Sequence, residues 1–166
     1  MEHEIYVSRE VKNLGHNQAA ALIKKAAAMA LAAEGVETPC IISVLLTDDA
    51  GIHAVNRDFR GVDRPTDVLS FPQNELEPGH FDPADCERDL DTGAVLLGDM
   101  MISLPRCEAQ GEEFGHGFKR EIMYLTVHSV LHLLGYDHVD EGPEKAAMRQ
   151  KEEEILSVLG LSRAGE

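Results

Sequence analysis

Apolar positions recur along the chain at two periods, and each change of period marks an element. Residues 4–7 (EIYV) read as a short strand, and 41–47 (IISVLLT) form a strongly apolar run, the pattern of a central strand. Between them Leu22, Ile23, Ala26, Ala30 and Leu31 share one helical face. Asn17 is expected to cap that helix, and Gly35 stands where it should stop after Glu34. A second helix is predicted from Asp48, with Ile52, Val55 and Phe59 on one face and Gly61 at its end. Val68–Phe71 reads as a strand with proline on either side, Pro65 and Pro72. Proline cannot donate to a ladder, so this strand belongs at a sheet edge. Residues 94–103 predict another strand with Gly98 as a bulge, and 104–113 a short helix. The stretch His116–Leu134 predicts a long helix, apolar nearly all round from Ile122 onwards, as a buried helix is. Pro143 opens a last helix bearing Met148, Ile155, Leu156 and Leu159, with Gly160 beyond its end. Residues 73–92 are acidic, contain two prolines and have little period, which predicts a long mobile loop with a lid as one role. The expected fold is α+β (mixed α/β): a small mixed four-stranded sheet packed with about five helices, in one domain over residues 1–166.

Composition narrows the class. The chain has 166 residues, 43% of them hydrophobic, and no run near the roughly 20 apolar residues of a membrane span. The opening MEHEIYVSRE lacks the basic-then-apolar order of an export signal, so a cytoplasmic location is expected. Cys40, Cys86 and Cys107 are odd in number and widely spaced, which reads as free thiols. A net charge of −15 speaks against a generic nucleic-acid binder, which usually presents a broad basic surface. It leaves room for an enzyme that draws a polyanion into a local positive cleft. Arg57, Arg60 and Arg64 gather near the end of the second predicted helix. Each alone could be an ordinary solvated charge.

The chemistry concentrates in His128-Ser129-Val130-Leu131-His132-Leu133-Leu134-Gly135-Tyr136-Asp137-His138. His128 and His132, four residues apart, fall one turn above the other on a single helix face. Gly135 is suited to end the helix in a left-handed conformation, after which the chain can fold back and aim His138 at the same point. Three imidazoles with no cysteine or carboxylate suit a zinc ion and leave a tetrahedral position open for water or substrate. The spacing matches that of the metzincin peptidases, HExxHxxGxxH. Their catalytic glutamate is replaced by Ser129, which has no carboxylate to accept a proton at neutral pH. Ligand geometry without the peptidase base argues for different chemistry. Asp137 suits orienting a ligand imidazole or capping the helix equally well. His80, in the acidic loop, and His53 have no neighbours that complete a second site.

The same histidine block resembles the signature of the YbeY family, bacterial rRNA maturation factors regarded as zinc-dependent single-strand endoribonucleases. Asn56-Arg57-Asp58-Phe59-Arg60 followed by Asp63-Arg64-Pro65-Thr66-Asp67-Val68-Leu69-Ser70-Phe71-Pro72 resembles its second hallmark. Leu97-Gly98-Asp99 with Ile102-Ser103 resembles a third block, and Met148, Glu152, Ile155 and Leu156 fit its terminal helix. Ser129 stands where the family often has glycine. The resemblance covers nearly the whole chain. It implies one zinc ion per chain held by His128, His132 and His138, with His128 and Arg60 in the catalytic set. It also implies single-stranded rRNA and the small ribosomal subunit as partners, no membrane, and a role in 16S rRNA 3′-end maturation and ribosome quality control. Two other classes share the motif's chemistry: a metallopeptidase or amidase, and a non-enzymatic ribosome assembly factor with a structural metal.

Overall fold

The predicted strands join into one sheet in the computed structural model, which describes residues 3–136 and 143–161. They are β1 (Glu4–Arg9), β2 (Cys40–Thr47), β3 (Val68–Pro72) and β4 (Val95–Ser103), in the order β1-β2-β4-β3. The pairs β1–β2 and β2–β4 are parallel, and β3 runs antiparallel to β4 on the outside. Parallel neighbours need crossovers. The helix α1 (Ala19–Ala33) supplies the first, and α2 (Asp49–Arg60) with β3 lies within the second. After β4 come α3 (Leu104–Glu113), α4 (Gly117–Leu133) and α5 (Pro143–Val158). This is the expected mixed fold, and β3 is the edge strand its flanking prolines called for.

The two faces of the sheet carry unequal loads. Ile42, Val44 and Leu46 of β2 alternate onto the same face as Leu97, Met100 and Ile102 of β4, where α1 and α4 cover them in the main core. Small residues let α1 approach closely: Ala26, Ala27 and Ala30 are fully buried beside Ile23 and Leu31. The opposite face holds a smaller cluster of Ile52, Leu69 and Met101 beneath α2. The helix α4 is enclosed by α1, α3, α5 and the β3–β4 edge, which explains its apolar sequence. Truncating a buried leucine in such surroundings to alanine typically costs about 2–5 kcal/mol. His128 and His132 stay only half-buried between fully buried neighbours.

Two expectations need correction. The first helix begins at Ala19 with Gln18 as its N-cap, and no side chain caps it. The preceding turn is set from a distance: His16, at a φ of +54°, stacks on Phe118 at the start of α4 with ring centroids 3.7 Å apart. Local sequence could not show that contact. The 73–92 segment is also not a loose flap. Gln73 N–H donates to Leu97 O at 3.1 Å, Asn74 Nδ2 to Leu96 O at 3.0 Å, and Leu96 N–H to Glu87 O at 2.9 Å. Two backbone bonds and one from the Asn74 side chain thus tie residues 73–74 and 87 to β4, while Leu76, Phe81 and Cys86 pack against the core. Gly98 does mark a bulge, since the β2–β4 register slips beside it. With a φ of +149° and Phe71 O only 2.5 Å from a hypothetical Cβ, no side chain fits there.

Candidate metal centre and substrate cleft

Helix α4 brings its two histidines together as their spacing requires. The rings of His128 and His132 lie 4.6 Å apart, nearly perpendicular, and their Nε2 atoms approach to 3.1 Å. Two nitrogens bound to one tetrahedral zinc at about 2.0–2.1 Å would sit about 3.3 Å apart, so the pair already has the separation such an ion demands. His138, the expected third ligand, lies outside the described residues. Among the described residues alone, no three His, Cys, Asp or Glu side chains converge on one point.

The helix ends as its glycine predicts. Tyr136 N–H donates to Leu131 O at 3.0 Å and Gly135 N–H to His132 O at 3.1 Å, the paired bonds of a Schellman motif. Gly135 has a φ of +104°, and a Cβ there would sit 2.2 Å from Leu76 O. Glycine is therefore required twice, for the turn and for the close passage of the 74–77 segment. That passage walls the cleft.

The cleft, about 830 Å³, runs across the β3 edge. His128, His132 and Arg60 line it together with Thr66–Ser70, Pro72, Asn74–Leu76, Gly135 and Tyr136. Arg60 sits in the last turn of α2 with its guanidinium exposed, and its Nη1 donates to Asn56 Oδ1 at 3.2 Å. Asn56 is buried, and its Nδ2 donates to Arg64 O at 2.9 Å, fixing the turn that follows Gly61. One amide thus aims the arginine and shapes the loop. His53 is a surface residue, paired with Asp63 at 2.7 Å.

A carboxylate supports the histidines from behind. Glu152 of α5, 3% exposed, meets His128 Nδ1 through its Oε2. An ionised carboxylate only accepts, so the proton belongs on Nδ1, leaving the Nε2 lone pair aimed at the cleft. The Ser129 hydroxyl, where a peptidase would carry its glutamate, shares a 2.6 Å hydrogen bond with Ser70 of β3. It ties the helix to the edge strand. A second polar string lies nearby: with its amide nitrogen turned toward both acids, Gln110 donates to Glu121 Oε2 at 3.0 Å and Asp67 Oδ2 at 3.2 Å. Glu121 also meets His116 at 2.8 Å, and burial pushes its carboxyl above the usual range.

Other nucleophiles are silenced by their surroundings. Burial raises the Cys40 thiol to about 12 and Cys107 further still, so neither forms thiolate near neutrality. Burial likewise raises the phenols of Tyr124, beside His128, and Tyr136, which also contacts Glu34. Both tyrosines remain protonated. The sequence places Asn56 and Glu152 within the family blocks but gives neither a task. The signal was present: each is a polar residue on the apolar face of its helix, Asn56 beside Ile52 and Glu152 beside Met148 and Ile155.

Known proteins with this pattern are numerous. The family model described as Endoribonuclease YbeY matches residues 4–160. A relative from Clostridium botulinum (strain 657 / Type Ba4), named Endoribonuclease YbeY, is 45% identical over 98% of this chain and 96% of its own. Another of that name, from Chloroflexus aurantiacus, is 49% identical over 86% of this chain and 88% of its own. A solution structure of a Thermotoga maritima protein shares the fold at a TM-score of 0.54 and 23% identity, covering 98% of this chain and 99% of that one. No helix among the described residues is long and apolar enough to cross a membrane. With the histidine block, the Arg60 block and the β4 block all inside the matched span, the chain belongs to the YbeY family.

Proposed function

We propose that this chain is a metal-dependent endoribonuclease that cuts single-stranded RNA, with rRNA of the small ribosomal subunit as its target in the cytoplasm. One domain, residues 1–166, carries the activity. The observation that supports the reading best is the approach of the His128 and His132 Nε2 atoms to each other in a cleft that Arg60 also lines. His128, His132 and His138 would hold one zinc ion. When bound, zinc supplies Lewis acidity toward a phosphoryl oxygen and toward water. Arg60 offers a planar pair of N–H donors to a phosphate and stabilises the charge that grows on it during cleavage. Glu152 keeps His128 in the tautomer that presents a lone pair. The β3 edge and the 74–76 segment bound the path of an extended strand.

Family membership favours this over a peptidase, as does Ser129, which leaves no carboxylate in the peptidase position. The test is metal removal. Dialysis against a chelator should abolish cleavage of a single-stranded RNA and leave the fold, with one equivalent of zinc restoring it. Cleavage that persists in the chelated, metal-free protein rules the reading out. If the metal is purely structural, the restored protein will bind RNA without cutting it.

Glu152→Gln addresses the support from behind. The amide keeps the shape and can still accept from Nδ1, but the charge that strengthens the imidazole as a ligand is lost. Zinc affinity should fall about tenfold, within the roughly 10–100-fold range usual for such partners. Competition with a zinc-binding dye measures it, and an unchanged affinity would remove Glu152 from the site.

A further inference from the structure

The apolar face of α2 becomes exposed toward its C-terminal end. Ile52 is fully buried, Val55 half-buried, and Phe59, one turn on, is 75% exposed, the most exposed aromatic ring among the described residues. Among the described residues its aromatic neighbour is Phe71 of the edge strand β3, with centroids 6.0 Å apart and planes at 72°. An edge-on pair covers at most one face of a ring, and the exposure of Phe59 puts the other in water. A single exposed apolar side chain is ordinary on a protein surface. The company of this one is not. Arg60 follows it in the chain and lines the cleft, while Phe71 packs with Ile52, Leu69 and Met101 on the α2 face of the edge strand, whose next residue, Ser70, turns to the α4 face and lines the cleft. Arg64 and Arg57, the latter paired with Asp58 at 3.1 Å, are exposed within the same few residues, and Asp63 is turned to His53.

Aromatic faces beside cationic side chains are how proteins hold single-stranded nucleic acid, because every unpaired base offers a π-face and every linkage a negative charge. We propose that Phe59, backed by Phe71, is a stacking subsite for an unpaired nucleobase next to the phosphate that Arg60 engages. The assignment rests on the endoribonuclease reading and adds to it a source of strand selectivity. A base inside a duplex is already stacked and paired, and cannot lie on this ring. Among the described residues, Phe59 stays 75% exposed.

The test compares Phe59→Trp, Phe59→Leu and Phe59→Ala with the parent protein. Leucine keeps the apolar contact with Phe71 and removes the π-face, so it separates packing from stacking. A short single-stranded RNA carrying 2-aminopurine reports stacking directly through its quenched fluorescence, read with metal-free protein so that nothing is cut. Quenching is expected with the parent and the Trp variant and not with Leu or Ala. In the zinc-loaded proteins, KM for single-stranded RNA should rise on the order of tenfold for Leu and Ala with kcat little changed. The preference over duplex should shrink by the same factor, at an unaltered thermal midpoint. If the Leu variant matches the parent in quenching and KM, the subsite is wrong while the nuclease reading stands. If the zinc-loaded parent neither binds nor cuts RNA, both fall together.

Discussion

Replacing Arg60 by alanine is expected to lower RNA cleavage about 10²–10³-fold while zinc content stays at one per chain. The guanidinium shares the cleft with the histidines and is held by Asn56, so its removal takes away no expected metal ligand. What disappears is a charged pair of donors aimed at the phosphate, and the loss appears in kcat more than in KM if the contact strengthens as charge develops. Arg60 is exposed, so water partly replaces it, which argues for the lower end of that range. Lysine should recover only part of the loss, since a point charge cannot reproduce the planar fork. Stability should scarcely move, because the buried partner Asn56 keeps its bond to Arg64 O. Near-parental turnover by Arg60→Ala would take the residue out of the mechanism.

His132→Ala should act at the metal instead. Removing one of three expected imidazoles leaves a pair too weak to hold zinc against dialysis, so metal content should drop well below one per chain. Activity should fall with it, by on the order of 10³-fold or more, since a Lewis acid contributes several kcal/mol to the barrier. The side chain is only half-buried on a helix whose other faces are packed, so the α4 core should survive. Metal analysis, circular dichroism and RNA cleavage on one preparation separate the outcomes. A folded, zinc-free variant that still cuts RNA would end the case for the histidine centre. Arg60→Ala and His132→Ala are thus complementary: one should lose turnover with metal present, the other turnover and metal together.

The periodic elements were legible because burial writes its period into the sequence. The apolar run of β2, the prolines around β3, the Gly98 bulge and the glycine that ends α4 all appear where their chemistry demanded. The His128–His132 pair was equally readable, since a four-residue spacing on a helix places two rings together whatever the rest of the chain does. The start of α1 was misplaced because His16 is held by Phe118, about a hundred residues away. The loop over 73–92 looked loose because its order comes from bonds to β4 rather than from any period of its own.

By itself, then, the sequence determined the order and type of the elements, the two-histidine face of α4 and the absence of a peptidase carboxylate at Ser129. Those follow from local spacing and side-chain chemistry, which need no partner. Only the tertiary structure decided that Glu152 stands behind His128, that buried Asn56 aims Arg60, and that Ser70 and Ser129 lock the edge strand to the helix. It alone put Phe59 and Phe71 side by side, next in the chain to the cleft residues Arg60, Ser70 and Pro72. Each of these joins residues from different turns, strands or helices. A hydrogen bond or ring contact depends on distance in space, and the linear order of residues carries that distance only within a single element.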